Sequence, residues 1–165
     1  MGRPRPRPPS LRRTRWLALA ATGLAACAAP HPRAIAWGHE ACEHCHMTLE
    51  DHRFAAEFVS TTGKAYIFDD VGCLATWIGE RHARPAGIWV ASFTTPDTWL
   101  AADSAVYLKT PALSTPMGSG LAALRPGREA DSVRAALGGE LLRWEEVVGG
   151  KRAYSVQRSA YRGGK

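Results

Sequence analysis

Between Arg53 and Val148 the sequence runs twice through one order of short segments, and this repeat restricts the fold more than any other feature. "RFAAEFVS", "GKAYIF", "DDVGCLATWIGERH" and "GIWVASFTT" read as strand, strand, helix, strand; "SAVYLKT", "SGLAALRP", "GREADSVRAALGG" and "ELLRWEEVV" repeat that order. The strands rest on aromatic and β-branched content between turn residues. The first helix rests on Asp70 as N-cap and on Val71, Leu74, Trp77 and Ile78 at helical spacing, with Gly79 or Gly87 and Pro85 to close it; Gly138 and Gly139 end the second. Segments this short cannot each bury a core face alone, so the two units pack together with helices over the sheet faces. The expected fold is α+β, two small tandem ββαβ modules over residues 41–97 and 98–148.

The start of the chain bears on the cysteine chemistry. "RRTR" (Arg12 to Arg15) is a positive segment, "WLALAATGLAA" is an apolar stretch too short for a mature membrane span, and small residues precede Cys27. Residues 1–26 therefore read as an export signal, and "LAAC" resembles the lipobox of bacterial lipoproteins. By that resemblance Cys27 is lipidated and becomes the first residue of a mature chain held on the extracytoplasmic, periplasmic face of a bacterial membrane, with residues 27–40 as a linker. The net charge of +6 belongs to the signal: of 21 Lys and Arg, six lie before Cys27, which leaves 15 against 15 acidic residues. Without a basic stripe in the body of the mature chain, nucleic-acid binding loses its main support. Residues 149–165 carry five Lys/Arg and no acid after a double glycine, and read as a mobile basic tail.

"ACEHCHMTLEDH", residues 41–52, holds two cysteines, three histidines and a methionine. Four chemistries fit that composition. Cys42-x-x-Cys45-His46 satisfies the c-type haem pattern, with His46 as proximal ligand and Met47 or Met117 as distal one, in a small exported electron-transfer protein. Against it, two strands follow the motif where haem-wrapping helices are needed. A redox dithiol Cys42–Cys45 requires a buried strand before it and a long helix after it, and "AIAWGHEA" is too short and polar for that strand. Zinc could take Cys42, Cys45, His52 and Cys73, without a second compact ligand pair to close the knuckle. The methionines distinguish the fourth option. Met117 lies in "STPMGSG", a turn with little core to fill, and thiolate plus thioether with one imidazole is a soft set that selects Cu(I).

Four features in order resemble the NosL family of copper-binding lipoproteins: the lipobox at Cys27, the Cys-x-x-Cys-x-Met run ending "CHM", "FDDVGCLATWI", and "PMGSG" leading to "GGELLRWEEV". The resemblance implies two ββαβ-type modules related to the organomercurial lyase module, and reversible Cu(I) binding and delivery without catalysis. It implies Cys45, Met47 and Met117 as metal ligands, His52 as the first choice of nitrogen ligand, and Cys42 as a less certain one, since Cys42 and Cys45 could pair as a disulfide. Where the family has glycine between cysteine and methionine, this chain has His46, so His44, His46 and His52 compete for the nitrogen role. Cys73 fits a buried structural cysteine better than a ligand, and helix capping explains one of Asp69 and Asp70. The partners implied are nitrous oxide reductase and its membrane assembly machinery, an ABC-type transporter complex, with a copper-bridged homodimer equally compatible. The remaining alternative is a lipoprotein that binds a partner without metal.

Overall fold

The computed structural model describes residues 31–150 and Gly2. The export signal, Cys27 and residues 151–165 of the basic tail lie outside those residues. In the first half, β1 (Ala56–Ser60), β2 (Ala65–Phe68), α1 (Val71–Arg81) and β3 (Pro85–Ala91) follow the expected order. Strand β1 is central and antiparallel to both neighbours, with Phe58 opposite Tyr66 on β2 and Ile88 on β3. Helix α1 starts where expected, because the Asp70 carboxylate accepts the Gly72 N–H at 2.5 Å. It runs through Gly79 and ends at His82, whose φ of 49° makes the left-handed turn, shortly before Pro85. Its apolar face puts Trp77 over the sheet, against Phe58, Tyr66 and Phe68 at ring-centroid distances of 5.1, 5.0 and 5.5 Å. Such pairs each contribute about 0.5–1.5 kcal/mol beyond area burial.

A strand not foreseen, β4 (Trp99–Ala101), lies beyond residue 97 yet pairs with β3, so the first sheet has the order β2-β1-β3-β4. The second half contains β5 (Val106–Lys109), β6 (Leu121–Leu124), α2 (Arg128–Leu137) and β7 (Glu140–Leu142) in a sheet of order β6-β5-β7. Gly138 caps α2, its N–H bonded to the Arg134 carbonyl. The last strand is shorter than "ELLRWEEVV" suggested: residues 144–150 are helical. The Glu146 carboxylate reaches back to accept the Arg143 N–H at 2.7 Å, the reciprocal half of a capping box, and turns the chain from strand to helix. Val147 is thereby buried in the same core as Phe58, Leu74, Tyr107 and Leu121, so one core spans both sheets. Phe93 N–H to the Ala123 carbonyl, 2.9 Å, ties the chain after β3 to β6.

Candidate metal centre

The Cys-x-x-Cys segment is a closed turn. Ala41 and Thr48 form a bridge, Cys42 N–H donates to the Met47 carbonyl at 2.8 Å, and His46 N–H returns to the Cys42 carbonyl at 3.0 Å. Glu43 N–H donates to the Ile67 carbonyl at 2.9 Å, which pins the turn to the end of β2. Asp69 follows two residues later, and Cys73 lies in the first turn of α1. Topology therefore converges three separate pieces of sequence on one point: donor atoms of Cys42, Cys45, Asp69 and Cys73 all lie within 4.8 Å of one another. Cys42 is fully buried, Cys73 and Asp69 are each 3% exposed, and Cys45 is half-buried at the opening. All three cysteines are free thiols.

The two aspartates divide the work that sequence reasoning left undivided. Asp70 is the helix cap, and its second oxygen accepts the Met117 N–H at 3.3 Å. Asp69 faces the thiols, with Oδ2 accepting from Cys45 Sγ at 3.2 Å and Oδ1 buried without a hydrogen-bond partner. Asp69 was the residue missed. Its signal was the pair "DD" itself: one carboxylate caps, and the other has no local use.

Electrostatically the thiols act as a set. A hydrogen bond from Cys73 brings Cys42 down to about 6, against a cost from burial. Burial pushes Cys45 up to about 12, helped by its hydrogen bonds with Cys42 and Asp69. Cys73 is raised by the same bond to Cys42 and then by burial. The cluster so gives up one proton readily and holds the others, and a metal taking several thiols must displace protons.

Among the described residues, Met47 and Met117 are the large apolar side chains left at the surface, 51% and 47% exposed. Met47 closes the cysteine turn. The loop of Met117 docks on the start of α1, where Gly72 leaves room for Ser119. The histidines are placed elsewhere. His52 stacks on Trp37 at 3.8 Å and bonds Asp97 through Nδ1 at 2.7 Å. His44 approaches Glu80 at 3.8 Å. His46 is exposed, with a φ of 63°. None of the three belongs to the four-donor group.

That φ explains why glycine suits the place of His46, since left-handed backbone costs an L-residue about 1–2 kcal/mol. His46→Gly should stabilise the fold by about 1 kcal/mol, part of the strain relief being lost to chain entropy. Urea denaturation of the apo-protein checks it; an unchanged or lower midpoint contradicts it.

The fold and the site define a small two-sheet α+β protein with a thiol-rich centre flanked by exposed methionines. The sequence matches the NosL family over residues 35–150, and the chain belongs to that family. Among solved structures it is similar to the crystal structure of the copper chaperone NosL from Shewanella denitrificans, with a TM-score of 0.63 and 18% identity over 71% of this chain and 95% of that one. Compared with curated proteins, the chain matches none. No helix among the described residues is long and apolar enough to cross a membrane.

Proposed function

We propose that the protein is an extracytoplasmic Cu(I)-binding lipoprotein, anchored through Cys27, that delivers copper during assembly of nitrous oxide reductase through its ABC-type assembly transporter. The observation that carries the copper reading is the pair of surface methionines, Met47 two residues after Cys45 and Met117 on a loop held to the start of α1 through Asp70, beside the thiol-bearing segments. An exposed thioether is a poor surface residue and a good soft ligand. Cu(I) is the cargo: it enters at the opening, where Cys45 is half-buried, with Met47 and Met117 completing a site of low coordination number. An acceptor's ligands then replace the methionines one at a time from solvent, so no free ion is released. The haem alternative fits less well, because Cys42 is fully buried, and a thioether link there requires opening the turn.

The test is anaerobic Cu(I) loading of the reduced mature protein against a competing chelator, followed by transfer to apo-nitrous oxide reductase with the assembly transporter present. Retention of one copper without a haem spectrum supports the reading; no retention defeats it. A pH series refines it. Cys45 holds its proton, the pKa pushed up to about 12, so binding through its thiolate releases that proton. Cu(I) affinity should then rise about tenfold per pH unit between about pH 6 and 8. A flat profile means that Cys45 does not bind as thiolate.

A further inference from the structure

Beyond copper, we infer that Cys42, Cys45, Cys73 and Asp69 form an inner four-donor site for a divalent d10 cation of the zinc and cadmium type, sharing only Cys45 with the methionine-flanked opening. Three sulfurs and one carboxylate oxygen have the donor number and types of a closed tetrahedral site. Zinc–sulfur bonds of about 2.3 Å place tetrahedral sulfurs about 3.8 Å apart. The donors already lie within 4.8 Å of one another, so closure around an ion needs shifts of about 1 Å or less.

Asp69 is the second, independent indication. Its side chain is 3% exposed, one oxygen is taken by Cys45, and the other is buried without a partner. Among the described residues no lysine, arginine or histidine forms an ion pair with it. A buried carboxylate in that state costs free energy that a cation beside it returns. The carboxylate also selects the ion: it is a hard donor that adds little for Cu(I) and suits a borderline divalent ion. Charge points the same way, since a doubly charged ion neutralises more of a three-thiolate, one-carboxylate pocket than a singly charged one. Helix capping does not account for Asp69, because Asp70 performs it.

The experiment uses Co(II) and Cd(II) as probes on the reduced mature protein under argon. The expected result is one equivalent of Co(II) with tetrahedral d–d bands and thiolate charge transfer, displaced by Cd(II). Cys73→Ser and Asp69→Asn should each lose more than about a hundredfold in Co(II) affinity, beyond the 10–100-fold of a residue that only supports a ligand, with the charge-transfer bands retained in Asp69→Asn. Asp69→Asn, nearly isosteric, decides the matter if the cysteine variant does not fold. Met47→Ala and Met117→Ala should bind Co(II) as wild type does. Absence of tetrahedral bands in the wild type, or Co(II) affinity unchanged in Asp69→Asn, overturns the inner site. Loss of Cu(I) binding in the methionine variants tests the copper reading separately, so the two can fail independently.

Discussion

Cys45→Ser should lose Cu(I) affinity by more than about a hundredfold, exceeding the 10–100-fold typical of a residue that only supports a ligand. Cys45 is the one thiol of the cluster that is half-open to solvent, and so the one that an arriving ion meets first. Met47→Ala and Met117→Ala should each lower the affinity too, by comparable amounts if both thioethers bind together. Neither methionine variant should lose stability, because truncating a side chain about half exposed removes little buried area. Chelator competition read beside thermal unfolding separates the two effects. Methionine variants that bind copper like wild type would show that the thioethers are not ligands and that the cysteines alone hold the ion.

The parts of this molecule legible in its sequence were those encoded locally. Asp70 before a run of apolar residues at helical spacing marked α1, and paired glycines marked the end of α2, because capping and periodicity act within one or two turns. Strand β4 carried too short a pattern to stand out, and only its pairing with β3 makes it a strand. Residues 144–148 read as strand within "ELLRWEEVV", but the Glu146 cap and burial of Val147 make 144–150 helical, a tertiary preference overriding a weak local one. For the centre, the Cys-x-x-Cys-x-Met run and the Met117 turn were visible as motifs. Cys73 joins that run in the sequence only as one of the zinc options, and the meeting of Asp69 with it was not visible, since it depends on the Glu43–Ile67 hydrogen bond and the turn from β2 into α1. The family resemblance implies His52 as the nitrogen ligand, whereas its ring is engaged by Trp37 and Asp97, outside the four-donor group.

Gly72→Ala should lower Cu(I) affinity by at least about tenfold without touching a ligand, because Gly72 is where the Met117 loop docks on the helix that carries Cys73. A Cβ there would stand 2.6 Å from the Ser119 Cβ and 2.9 Å from Asp70 Oδ1. Neither group can yield freely. Asp70 caps the helix and holds the Met117 N–H, while the Ser119 loop is braced by Gly120 N–H to Thr115 Oγ1 at 3.2 Å. Relief therefore comes from moving the loop away from α1, and Met117 moves with it. Overpacking costs about 1–3 kcal/mol, which alanine's better helix propensity offsets by up to about 1 kcal/mol, so the protein should remain folded. Ser119→Gly in the same chain removes the nearer clash and should restore much of the affinity. Copper binding unchanged in Gly72→Ala, where Met117→Ala has lost it, would mean that the loop does not need α1 to present its methionine. Affinity lost and then regained in the double variant would show that the packing of one glycine against one serine sets the geometry of the metal opening.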